Sequence, residues 1–180
     1  MAAERERLNY RSRFRRALRG TIYALIVVAA VAALAATNFL PVLRVSGSSM
    51  EPTLSDGDII VLVKSSDFET GDLVSLYYQN KLLLKRVIGG PGDVIYIDEE
   101  GNVYVNDELI DEPYVTEKAL GDTDITYPYQ VPENRYFVLG DNRATSVDSR
   151  SSEIGCIDKD QIVGKVILRV WPLNQMKIIQ

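Results

Sequence analysis

Histidine is absent from all 180 residues of this chain. Its absence removes every His-based triad or dyad, every His-ligated zinc site and the usual proton shuttle of neutral pH. Any nucleophilic chemistry must then take its base from a lysine, a carboxylate or a metal-bound hydroxide. Cysteine is nearly absent as well. Cys156 stands alone, so no intramolecular disulfide can form. Nothing around it resembles an activated thiol site, which leaves it as a small buried hydrophobe. There is no internal repeat and no low-complexity segment, and a chain of this length has room for one compact domain plus an anchor.

Charge is present but unevenly spread. Residues 1–19 hold seven Arg and two Glu, a net charge of about +5. The rest of the chain holds 13 Lys and Arg against 23 Asp and Glu, about −10. An acidic folded part argues against nucleic acid as a partner.

Thr21 to Leu40 reads TIYALIVVAAVAALAATNFL and carries no charged residue. Twenty residues at about 1.5 Å each span roughly 30 Å, the thickness of a bilayer core. Arg11, Arg13, Arg15, Arg16 and Arg19 precede it, so the positive-inside rule places the N-terminus in the cytoplasm. The expected organisation is a basic cytoplasmic tail over 1–19, a single transmembrane anchor over 20–40 and an extracytoplasmic domain over 41–180, held at the cell membrane by the lipid bilayer. A cleavable leader is the competing reading, since Ala33-Leu34-Ala35 has the form of a cleavage site. The apolar run continues through Phe39, Leu40, Val42 and Leu43 without a polar region first, which favours a retained anchor. Leu40, Val42 and Leu43 either dip into the membrane interface or continue the helix and join the core.

A sustained helical period is lacking beyond the anchor. Short β-rich runs alternate with turn residues instead. Strands are expected at 59–64, 73–78, 82–88, 93–97, 103–105, 135–139 and 162–171, with hairpins at Gln79-Asn80 and at Glu99-Glu100-Gly101-Asn102. Glu112 to Tyr129 is polar and turn-rich and reads as a surface excursion. The expected fold is mainly β: an antiparallel sandwich or barrel-like domain preceded by one N-terminal transmembrane helix.

Three segments break the strand pattern as loops: 46–54 (SGSSMEPTL), 85–93 (KRVIGGPGD) and 140–150 (GDNRATSVDSR). Each has an ordinary reading, as a juxtamembrane linker, a Gly-Pro turn and a hydrogen-bonded surface loop. Lys85, however, lies between Leu82-Leu83-Leu84 and Val87-Ile88, so its stem runs through apolar surroundings. Desolvation disfavours an ammonium and lowers its pKa from about 10.4 towards the range useful to a base. With no imidazole available, this lysine is the best candidate to deprotonate a serine.

Together the segments resemble the motifs of bacterial type I signal peptidases. The Ser-Met-x-Pro-Thr-Leu string is matched by Ser49 to Leu54, and the Gly-Asp with its apolar β run by Gly57 to Val61. The Lys-Arg-Val-x-Gly-x-Pro-Gly-Asp string is matched by Lys85 to Asp93, and Gly-Asp-Asn-Arg-x-x-Ser-x-Asp-Ser-Arg by Gly140 to Arg150. The resemblance implies a membrane-bound serine endopeptidase that removes signal peptides from translocated preproteins, cutting after small residues. It needs no cofactor and no metal.

By the same resemblance Ser49 attacks the scissile carbonyl, Lys85 takes its proton and Ser146 orients the Lys85 amine. Asp148 and Arg150 form an ion pair holding that loop, and Arg86 and Asp141 support the region. The Ser49 N–H is one oxyanion donor. The position used by one branch of the family for the second is Gly47 here, as in the Gram-positive-type short form, leaving Ser48 or a backbone amide. Val45, Met50, Leu54 and Leu84 are expected to line shallow pockets for small side chains. Leu40 to Ser49 spans nine residues, at most about 30 Å, so the nucleophile works close to the outer membrane surface.

Two other readings remain. A non-catalytic anchored relative assisting surface-protein assembly should have lost Ser49 or Lys85, and both are present. A self-cleaving regulatory Ser/Lys protease should carry a DNA-binding or partner domain, and residues 1–19 are too short for one.

Overall fold

The computed structural model describes residues 15, 17–32 and 40–179. They fall into two units, divided between Phe39 and Leu40. In the first, residues 17–32 are helical, and the Thr21 hydroxyl donates to the Ala17 carbonyl one turn earlier (3.1 Å). Among the described residues no helix is long and apolar enough to cross a membrane. The predicted anchor ends at 40, and its positions 33–39 lie outside the described residues, as does Ala33-Leu34-Ala35.

Short apolar, β-rich runs bounded by turn residues make the second unit a β structure. In chain order its strands are β1 (Val42–Arg44), β2 (Ile59–Val63), β3 (Leu73–Tyr78), β4 (Lys81–Gly89), β5 (Val94–Ile97) and β6 (Val103–Val105). There follow β7 (Glu108–Leu109), β8 (Tyr129–Gln130), β9 (Arg135–Leu139), β10 (Ile157–Asp158), β11 (Ile162–Trp171) and β12 (Lys177–Ile178). The larger sheet runs β1-β2-β11-β3-β4-β9-β10, with β12 on β11, and the smaller runs β7-β6-β5-β8. Every pairing among the described residues is antiparallel.

Turn chemistry sets the register. Gln79 and Asn80 both take positive φ (45° and 63°), the two-residue turn whose twist suits a hairpin, and they pair Tyr78 with Lys81. Asn106 and Asp107 do the same (51° and 67°) between β6 and β7, a hairpin absent from the sequence reading.

Three apolar clusters fill the unit. One gathers Val45, Met50, Leu54, Leu62 and Leu73, a second Val74, Leu76, Val87 and Val138, and a third Ile88, Ile95, Phe137, Leu139 and Cys156. Strand β4 passes from the second to the third at Val87 and Ile88. Leu43 packs on the first cluster while Val42 is exposed, so β1 contributes one apolar residue to the core and leaves another outside it.

The strand expected over 82–88 is present as β4, and the loop reading of 85–93 is corrected: Lys85 to Gly89 form the inner half of that strand, buried at all five positions, and the glycines that suggested a loop begin only where it ends. Glu112 to Tyr129 is not a plain surface excursion. Leu120, Ile125 and Tyr127 pack against the third cluster, and Glu112 is only 6% exposed.

Candidate active site

Ser49 lies in the loop that leaves edge strand β1. Buried Met50 and Leu54 pin that loop to the first cluster, and the Leu54 N–H donates to the Met50 carbonyl (2.9 Å). Gly47 takes φ 92°, and its N–H donates to Asp56 Oδ1 (2.9 Å). Engaged in that way, the Gly47 amide is not available to an oxyanion. Ser48 is exposed. Its carbonyl accepts from the Glu51 N–H (3.1 Å) and from Asn142 Nδ2 (3.3 Å). Among the described residues neither the hydroxyl nor the N–H of Ser49 donates a hydrogen bond.

Lys85 sits in β4 opposite Val74 of β3 and is 3% exposed. Its amine donates to Ser146 Oγ (2.9 Å). Burial pulls the Lys85 ammonium below the ordinary lysine range. The Asp148 carboxylate opposes that shift, the Arg150 charge adds to it and Asp141 opposes it. No hydrogen bond joins Lys85 Nζ to Ser49 Oγ. The two meet through the third segment: the Ser49 carbonyl accepts from the Asn142 N–H (3.1 Å) and the Ser146 N–H donates to the Asn142 carbonyl (3.0 Å). Gly140 marks the junction. A Cβ there would stand 2.6 Å from the Ser49 carbonyl oxygen and closer still to the Ser146 hydroxyl, so any side chain would drive the two serines apart.

Buried ion pairs hold this segment. Asp148 accepts from Arg150 Nε (2.8 Å) and Nη2 (2.9 Å) and from the Gly140 N–H (3.0 Å). Arg150 Nη2 also donates to the Ser146 carbonyl (3.1 Å). Arg86, next to Lys85 on β4, makes a two-pronged pair with Asp141 (2.8 and 2.7 Å). The Thr53 hydroxyl, four residues after Ser49, donates to the same carboxylate (2.5 Å). Asp141 thus ties the Lys85 strand to the Ser49 loop.

Sequence reading missed two partners. Glu112 pairs with Arg143, whose Nε donates to the Gly140 carbonyl (3.1 Å). Tyr114 places its ring 3.7 Å from the Arg86 guanidinium carbon. Both lie in a polar stretch with no periodicity, so the only available signal was a carboxylate and a guanidinium 31 positions apart.

A pocket of about 110 Å³ opens beside Ser49. Val45, Met50 and Leu84 line it, with Gly47 and Ser75. Leu54, expected there too, does not line it and is fully buried in the first cluster.

The family described as Signal peptidase, peptidase S26, matches residues 18–171. A signal peptidase I of Bacillus amyloliquefaciens is 38% identical over 165 residues, covering 84% of this chain and 88% of the relative. A signal peptidase IB of Staphylococcus aureus is 39% identical over 155 residues, covering 74% and 78%. A crystal structure of a signal peptidase I from Enterococcus faecalis V583 is 26% identical with a TM-score of 0.45, over 55% of this chain and 96% of that one.

Proposed function

Since this chain belongs to the signal peptidase family, peptidase S26, as a bacterial type I signal peptidase, we propose that it cleaves with Ser49 as nucleophile and Lys85 as general base. It is a serine endopeptidase that removes signal peptides from preproteins. The observation that carries the site assignment is the Lys85 amine: buried, with its ammonium disfavoured, and aimed at Ser146 in the segment that also grips Ser49.

In this reading the neutral Lys85 amine takes the Ser49 proton as Oγ attacks the scissile carbonyl. It then gives that proton to the leaving amine, and later activates the water that releases the acyl group. The free Ser49 N–H stabilises the oxyanion. Ser48, exposed and next to it, is the candidate for the second donor now that the Gly47 amide is engaged.

Two sheet edges suit an extended substrate. Among the described residues strand β1 pairs only with β2, and residues 81–85 of β4 pair only with β3, since β9 joins β4 from Arg86 onward. A peptide laid along these edges would satisfy open backbone groups and drop alternate side chains into the pocket. The helix over residues 17–32, with arginines before it, supports a single-pass anchor over 20–40 with a cytoplasmic N-terminus and residues 41–180 outside.

The full chain in detergent or liposomes is expected to cut a preprotein carrying Ala at the first and third positions before the cut, and to spare one carrying Phe there. Mass spectrometry of the new N-terminus reads the result, and equal cleavage of both substrates would contradict the small-pocket reading. Chelation should leave the rate unchanged, because a hydroxyl and an amine do the chemistry.

Ser146→Ala is expected to lower kcat/KM roughly 10- to 100-fold, less than removal of the base itself. Log kcat/KM of the wild type should rise with pH and level off at a midpoint below about 10.4, the ordinary lysine value. Losing the Ser146 oxygen removes an acceptor of the ammonium, so the midpoint should move to lower pH. A variant with reduced rate but an unmoved profile would leave Ser146 without a part in setting the base.

A further inference from the structure

Ser75 has no part in the proposed mechanism. It lies in the middle of β3, paired with Leu84 on one side and Gly164 of β11 on the other. Strand alternation sends its neighbours Val74 and Leu76 into the second cluster, so Ser75 faces the opposite side, with Leu73 of the first cluster. On that side it lines the pocket beside Ser49. The residue is fully buried, and its hydroxyl oxygen has no hydrogen-bond partner among the described residues. Buried hydroxyls are nearly always paired, because leaving one unpaired forfeits its hydration for nothing. An apolar side chain such as Val would fill the same place without that penalty. An unpaired donor and acceptor in the wall of a small apolar pocket is complementary to one kind of occupant: a small side chain that brings its own hydroxyl.

Resting on the proteolytic reading above, we propose that Ser75 is a specificity-determining residue that recognises a serine or threonine side chain of the substrate next to the cut. In an extended peptide the first and third residues before the scissile bond share a face, and one of these two positions meets Ser75. The substrate hydroxyl and the Ser75 hydroxyl then pair inside a wall formed by Val45, Met50 and Leu84. Alanine at that position is accommodated by shape alone, whereas serine both fits and satisfies the buried oxygen.

The test uses the full chain in detergent and three peptide substrates for each position, with Ala, Ser or 2-aminobutyrate, which has the size of serine and no hydroxyl. At one of the two positions the wild type should prefer Ser to 2-aminobutyrate by about three- to tenfold in kcat/KM, the worth of one neutral hydrogen bond. Ser75→Ala and Ser75→Val should each bring that ratio to about one. Because the ratio is taken on one enzyme sample, partial misfolding lowers both arms alike and leaves it intact. If the wild type shows no preference at either position, a trapped water or an idle hydroxyl is the better account and the proposal is overturned. It is equally overturned if the preference survives both substitutions. Neither result touches the protease reading, which the Ala substrate tests in the same experiment.

Discussion

Ser49→Ala and Lys85→Met are each expected to lower kcat/KM by roughly 10⁴- to 10⁶-fold, and the double variant should be no worse than either single one. A nucleophile and its base act as one unit. Once the hydroxyl is gone the amine has no proton to take, and once the amine is gone the hydroxyl stays protonated. What persists is binding and the oxyanion donors, which the two substitutions leave in place. Folding should not obscure the result. Lys85 has a lower pKa folded than unfolded, so between those two values the unfolded chain binds more protons and stability rises with pH. At neutral pH the ammonium's burial penalty is therefore present, and replacing it with a methionine of similar length removes it. Lys85→Met should melt at or above the wild-type temperature while cleaving nothing. Substantial processing by that variant, measured on purified preprotein, would end the Ser/Lys assignment.

How much of this was visible in the chain alone depends on the range over which each residue acts. Gln79-Asn80 and the flanking apolar runs are local, and they gave the β3–β4 hairpin to within a residue or two. The absence of imidazole and the apolar flanks of Lys85 are local as well, and they singled out the amine that the structure buries. The strands at β1, β7, β8, β10 and β12 are two or three residues long, too short to display alternation, and exist because longer partners supply their ladders. Gly89 and Gly90 gave residues 85–93 a loop reading beside the strand expected over 82–88, and pairing with β3 and β9 settles it by carrying the strand through Gly89. Glu112 and Tyr114 act on Arg143 and Arg86 from a segment without pattern. Ser75 looked like one polar residue in a strand, and only the register that faces it away from Val74 and Leu76 and towards the pocket gives it meaning.

Asp141→Ala is expected to be the most damaging change away from the reacting groups, destabilising the folded domain by about 3–5 kcal/mol. The pair it breaks is fully buried, with side-chain exposures of 1% for Arg86 and 0% for Asp141. Removing the carboxylate leaves the guanidinium with the Gly71 carbonyl (2.7 Å) and the face of Tyr114 as its remaining partners. Neither neutralises a positive charge that has already lost its water. The Thr53 hydroxyl loses its acceptor at the same time, so the Ser49 loop and the Lys85 strand lose the group that joins them. With domains stable by only about 5–15 kcal/mol, the fall should appear as a clear drop in melting temperature, together with a loss of cleavage at temperatures where the variant is still folded. Arg86→Met combined with Asp141→Leu separates the two effects. It removes both charges, so most of the stability should return, while the Thr53 link stays broken and activity stays low. If the double variant regained full cleavage, Asp141 would matter only for folding, and its bridging of Ser49 and Lys85 would have no catalytic consequence.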